Sequence, residues 1–143
     1  MIKSSTQEAV NNIIYKLDQL VPVYNAILHD AFNEGHVAVC IIDEEGNVYG
    51  KIWGSNKARA RQSSRIAWTK STQVWITGMK TGEFEKKLFN GEIKDSFGIQ
   101  VPDFIGWEGG QPITLGDGTK LSVGFSGFTG KSDLEIVLKA INS

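Results

Sequence analysis

Cysteine, histidine and proline are all scarce in this chain of 143 residues. The single cysteine, Cys40, excludes an intramolecular disulfide. It lies in the apolar run Val37-Ala38-Val39-Cys40-Ile41-Ile42, where a free thiol reads as a buried structural residue. A catalytic thiol would need polar, electropositive surroundings. The two histidines, His29 and His36, stand seven apart and, with one cysteine, cannot furnish a structural zinc site. No G-x-G-x-x-G, P-loop or G-x-S-x-G pattern occurs, although residue types alone leave a Ser-His-Asp triad open. No apolar run approaches the roughly 20 residues of a membrane span. The opening Met1-Ile2-Lys3-Ser4-Ser5 lacks an apolar signal core. These absences lead to the expectation of a cytoplasmic chain with no membrane partner.

Acidic residues are missing from one long stretch. Between Gly46 and Gly82 there is no Asp or Glu, while Lys51, Lys57, Arg59, Arg61, Arg65, Lys70 and Lys80 give a local balance of +7. The net charge of −1 therefore hides a polarised molecule. Such a stretch is either a solvated helix face paired with acids elsewhere or a surface for an anion. A nucleic-acid role does not fit a compact basic stretch flanked by acidic segments. The length suits one domain, 1–143, able to bury roughly two-thirds of its unfolded surface.

The periodicities predict an α+β fold: a mainly antiparallel sheet with helices packed on it. Apolar residues at helical spacing place a first helix over residues 6–19. Val21-Pro22 breaks it, and a second helix starts at the proline and stops at Gly35. A hairpin follows, with strands at 36–43 and 48–53 about the turn Glu44-Glu45-Gly46-Asn47. The first strand is apolar at nearly every position and is expected to be central, covered on both faces. A long helix runs from Asn56 to about Met79, then a short one over 83–89. An irregular excursion occupies 92–110. A second hairpin pairs Ile113–Leu115 with Leu121–Phe125 around Gly116-Asp117-Gly118. The last helix is expected at 132–141, opened by the capping box Ser132-Asp133-Leu134-Glu135.

Three constellations could carry chemistry. On the long helix, Arg61, Arg65 and Trp68 fall on one face, either as a cation–π pair or as a platform with arginines for a carboxylate and a ring for an aromatic plane. Trp107-Glu108-Gly109-Gly110-Gln111-Pro112 joins a flat ring, a carboxylate and a flexible backbone. It is either a turn with a core tryptophan or a site where Trp107 stacks and Glu108 moves a proton. Gly124-Phe125-Ser126-Gly127-Phe128-Thr129-Gly130 feeds a helix start, where Gly127 and Thr129 form either a tight capped turn or an anion cradle. His29 and His36 are candidate axial ligands for haem iron, or ordinary helix and packing residues.

These residues, from about Gly35 to Ile141, resemble the GlcG/HbpS-like family, which includes the C-terminal domain of PduO-type proteins. The resemblance rests on four features in order: Val39 to Val48 as the first hairpin; Ile66-Ala67-Trp68-Thr69 on the long helix; Gly109-Gly110-Gln111-Pro112-Ile113 before the third strand; and Gly124 to Asp133 entering the last helix. It implies a profilin-like three-layer fold, a homo-oligomer ranging from dimer to octamer, and association with haem or another small cofactor. His29 lies in the N-terminal helical region that supplies the axial ligand where haem is bound. Residues 1–20 add a helix that the common pattern lacks, and Ile66 stands where a lysine is common.

Three classes of function follow. The first is a protein that binds a small ligand or cofactor, haem included, through Arg61, Arg65, Trp68, Trp107, Gly109, Gly110, Gly127 and Thr129. The second is an enzyme on a small carboxylated metabolite, with Arg61 or Arg65 holding the carboxylate and Glu108 as acid or base. The third is a structural or adaptor subunit whose tryptophans Trp53, Trp75 and Trp107 are oligomer contacts.

Overall fold

The computed structural model describes residues 2–28 and 34–142. Its elements are α1 (Ile2–Leu28), β1 (Ala38–Asp43), β2 (Val48–Ile52), α2 (Lys57–Thr77), α3 (Thr81–Phe89), β3 (Gly110–Thr114), β4 (Lys120–Ser126) and α4 (Gly130–Asn142). The four strands form one antiparallel sheet in the order β2-β1-β4-β3. β1 is central, and all six of its residues are buried. Because strand side chains alternate, Val39 and Ile41 enter one apolar layer while Ala38, Cys40 and Ile42 enter another.

The first layer is the main core. Val10, Ile13, Leu17, Val21 and Tyr24 of α1 and Ile136, Val137 and Ala140 of α4 meet Val39, Ile41, Val123 and Phe125 of the sheet. Tyr24 ties the two helices together: its hydroxyl donates to Glu135 Oε1 at 2.6 Å, and the Lys139 ammonium lies 5.1 Å from the ring centroid. On the opposite face α2 crosses the sheet through small residues. A Cβ on Gly124 would approach the Ser71 amide to 2.7 Å and the Ala67 carbonyl more closely still. Helix and strand backbones therefore touch there, and only glycine fits. The result is a three-layer α+β molecule, as the sequence predicts.

The N-terminal helices need correction. α1 is one continuous helix with Pro22 inside it, not two helices broken at the proline. Val21 and Tyr24, on either side of Pro22, extend the same buried stripe. Burying two such side chains contributes about 1.5–3 kcal/mol each, which offsets the roughly 3 kcal/mol cost of an interior proline. Pro22 itself is exposed.

The helix caps also differ in part. Asn56 caps α2 through its side chain, accepting from the amides of Ala58 and Arg59, and Gly78 ends the helix with a left-handed φ of 73°. The capping box at Ser132 does not form. α4 starts two residues earlier, at Gly130. Thr129 Oγ1 accepts from the Ser132 amide at 3.3 Å, and Asp133 Oδ1 reaches back to the Phe128 amide at 2.9 Å. Glu135, the expected reciprocal cap, is taken by Tyr24.

Candidate ligand-binding site

The excursion after α3 returns along α2 and is pinned there by buried polar side chains. Gln73 of α2 uses both ends of its amide: Nε2 donates to the Ile105 carbonyl at 2.7 Å, and Oε1 accepts from the Ile105 amide at 3.0 Å. Thr81 donates from Oγ1 to the Trp107 carbonyl at 2.6 Å and accepts from the Gly110 amide at 3.4 Å. These four bonds hold segment 105–110 against α2 and the start of α3.

Two adjoining concavities result. One, of about 540 Å³, is lined by Arg65, Ile66 and Thr69 of α2, by Glu85 of α3, and by Pro102, Phe104 and Trp107 of the excursion, among others. The second, of about 380 Å³, is lined by Ser63 and Lys70 of α2, Glu108, and Ser126, Gly127 and Asp133 near the start of α4. Gln62, Ile66 and Trp107 line both, so the two form one groove. Its character is mixed: an aromatic wall, an arginine at one end, and a carboxylate and an amine at the other. Trp107 keeps 67% of its surface exposed, which leaves a ring face open to a ligand.

The buried polar centre of the groove is an ion pair. Lys70 Nζ donates to Asp133 Oδ2 at 3.3 Å and to the Phe125 carbonyl at 2.9 Å. The two side chains are 2% and 3% exposed. Burial pulls the Lys70 amine below the ordinary lysine value, and the Asp133 charge opposes that without cancelling it. Lys70 was legible only as a misplaced charge: it sits three after Ala67 and four before Val74, on the buried stripe of α2.

The sequence candidates divide accordingly. Arg65, Trp107, Glu108 and Gly127 line the groove. Trp68 does not join them. It is 49% exposed and lies toward β1 and β2, in a separate concavity with Val39, Cys40, Gly50 and Ile52. Arg61 is exposed on α2 and is not among the groove's lining residues. Residues at i, i+4 and i+7 share a broad face, but the excursion covers only one edge of it.

Gly109 and Gly110 are buried. A Cβ on Gly109 would meet Lys70 Nζ and the Phe125 carbonyl at 2.5 Å, and one on Gly110 would meet Thr81 Cγ2 at 2.6 Å. Thr129 is engaged in capping α4. The Glu108 stem is packed beside Gly82 and Gly130, whose Cβ positions lie 3.2 and 3.1 Å from it. Of the remaining tryptophans, Trp53 donates to Asp18 at 2.8 Å and Trp75 to the Asp43 carbonyl at 3.0 Å, so both indoles brace the first hairpin.

His36 is 4% exposed, and its Nε2 accepts from the Asn56 amide at 3.0 Å. That lone pair is therefore committed to positioning the start of α2. His29 lies outside the described residues. Among the described residues no cluster of three or more His, Cys, Asp or Glu could hold a metal ion, and no helix is long and apolar enough to cross a membrane.

No protein-family model matches the chain, and no curated protein matches it in sequence. Solved structures do. Klebsiella pneumoniae protein ORFY, described as DUF336, is 17% identical with a TM-score of 0.70, over 94% of this chain and 86% of that one. A PduOC:heme complex is 20% identical with a TM-score of 0.64, over 91% and 90%. A double mutant of Streptomyces reticuli HbpS is 19% identical with a TM-score of 0.59, over 94% and 83%. At the level of fold, the chain is built as these GlcG/HbpS-like proteins are, which is the likeness its four sequence features carry.

Proposed function

We propose that the chain is a small-ligand-binding protein and that the groove between α2, segment 102–108 and the start of α4 is its site. The observation that carries this reading is the convergence of Arg65 and the exposed Trp107 ring on one concavity of about 540 Å³. Ligand sites are commonly concave, mainly apolar and furnished with a few placed polar groups. A guanidinium at one end favours a carboxylate, and an open indole favours a flat body. The ligand class is a small, planar carboxylate.

The test is calorimetric titration with 4-(hydroxymethyl)benzoate. Arg65→Gln removes a charge-assisted hydrogen bond worth about 1.5–3 kcal/mol, so affinity drops roughly 10- to 100-fold. Trp107→Ala weakens binding as well. Binding that is unchanged in both variants overturns the assignment of the groove.

Haem is the larger member of this ligand class, and the likeness to a PduOC:heme complex supports it. The groove itself does not fit iron: its lining has no imidazole, thiolate, thioether or phenol to serve as an axial ligand. Axial ligation would fall to His29. A Soret band on haem titration that vanishes in His29→Ala supports it, and stoichiometric binding that survives the substitution removes that residue from the role.

Glu108 carries a second reading, an enzyme acting on a small carboxylated metabolite. Its carboxylate is exposed beside Trp107 on the same groove, where it could accept or return a proton. Full turnover in Glu108→Gln would end that reading. The assembly we propose is a homo-oligomer, from dimer to octamer, checked by mass measurement in solution.

A further inference from the structure

We propose that Lys70 is an imine-forming lysine that captures the carbonyl group of an aldehyde or ketone ligand entering the groove. The inference rests on the groove being a ligand site and adds the chemistry at its floor. Lysine is almost never fully buried unless paired, and Lys70 is 2% exposed. It nevertheless lines the 380 Å³ end of the groove, beside Ser63, Gln62 and Glu108.

Its hydrogen-bond partners are the Phe125 carbonyl and Asp133 Oδ2. Two acceptors satisfy the two hydrogens of a neutral amine and leave its lone pair over. Gly109 packs its backbone against Nζ, where a Cβ would come to 2.5 Å of the nitrogen, so the approach to the amine is from the groove whose lining includes Lys70. Burial lowers the affinity of this amine for a proton, so the free base forms at a lower pH than on a surface lysine.

The step balances without a co-reactant. The Lys70 nitrogen attacks the carbonyl carbon, and the first of its two amine protons passes by way of Asp133 to the carbonyl oxygen to give a carbinolamine. Loss of water leaves a C=N bond, so one amine and one carbonyl yield one imine and one water. Asp133, 3.3 Å from the nitrogen, is placed to receive the second amine proton as well and pass it to the departing hydroxyl. Arg65 at the far end of the same groove would hold a carboxylate, and Trp107, which lines both ends, a ring, making an aromatic aldehyde acid a fitting probe.

The experiment incubates the intact protein with 4-formylbenzoate and sodium cyanoborohydride, then maps reduced adducts by peptide mass spectrometry. The expected result is an adduct on Lys70 ahead of the exposed Lys57 and Lys94, at least tenfold faster at neutral pH. Its rate should level off at a lower pH than theirs. Labelling confined to surface lysines while 4-(hydroxymethyl)benzoate still binds the groove overturns the imine and leaves the ligand site standing. Failure of both molecules to bind overturns the ligand site and the imine together. Since wild-type protein supplies the site map, the answer does not depend on a Lys70 variant folding.

Discussion

Lys70 of α2 and Asp133 of α4, 63 residues apart in sequence, meet at 3.3 Å through the gap left by Gly109. The pair joins the long helix to the turn that starts the last one, because the second carboxylate oxygen of Asp133 holds the Phe128 amide. A buried pair is weak evidence for net stability, but breaking it from one side leaves a buried group uncompensated. Asp133→Asn keeps an acceptor for Phe128 and removes the charge opposite Lys70. The expected cost is about 3–5 kcal/mol in urea unfolding. Lys70→Met should cost a comparable amount, and the double variant less than the sum, with a coupling of about 0.5–3 kcal/mol. Strictly additive costs would show that the two residues do not act as a pair.

Gly124 tests the contact between helix and sheet. Its missing Cβ is replaced by the α2 backbone at Ala67 and Ser71, which cannot give way as a side chain would. Gly124→Ala should therefore destabilise by at least about 1–3 kcal/mol. Gly116→Ala, where a Cβ would meet nothing within 4 Å, is the matched control and should fall within about 0.5 kcal/mol of wild type. Equal effects at the two glycines would count against the close contact.

Pro22 makes a prediction of opposite sign. It occupies an exposed position inside a continuous helix, so Pro22→Ala restores a hydrogen bond without disturbing the core. Thermal or urea unfolding should show a gain of about 1–3 kcal/mol. A loss would mean that the helix requires the bend the proline imposes.

Asp43 gives a pH dependence. Burial pushes its carboxyl up, but the Asn47 side chain, the amides of Asn47 and Glu45 and the Tyr49 hydroxyl together outweigh burial and hold it below the ordinary aspartate value. A lowered folded pKa contributes stability above the unfolded value of about 3.9. That contribution is lost as pH falls through the lower folded value. Acid titration of stability should therefore be flatter below about pH 4 in Asp43→Asn than in wild type. Parallel acid curves would remove Asp43 from the account.

Much of the fold was legible because the strands and α2 carry local signals: a continuous, β-branched apolar run in β1, Asp-Gly in the second hairpin, Asn56 and Gly78 at the ends of α2. Pro22 misled because its rule is local, while the burial of Val21 and Tyr24 that overrides it depends on α4 and the sheet. The lining of the candidate groove was half legible. Arg65, Trp107 and Glu108 announced themselves by residue type. The separation of Trp68 from Arg65 could not be read, since it depends on where the excursion lies. Gln73 and Thr81, which fix that course, are buried polar residues whose partners are backbone groups far along the chain.

The contact at Gly124 also divides the groove into a rigid wall and an exchangeable one. α2 has no side-chain slack between itself and β4, so Arg65, Ile66 and Lys70 are held in a frame that a substitution can disturb only by unseating the helix. Segment 102–108 is attached through hydrogen bonds from Gln73 and Thr81 to its main chain and through the Phe104 ring, which packs on Phe84 and Phe89, while the Pro102 and Trp107 side chains are exposed. If the proposed groove binds a ligand, a change of ligand would then be written on the excursion, and a library aimed at new ligands belongs at Pro102 and Trp107.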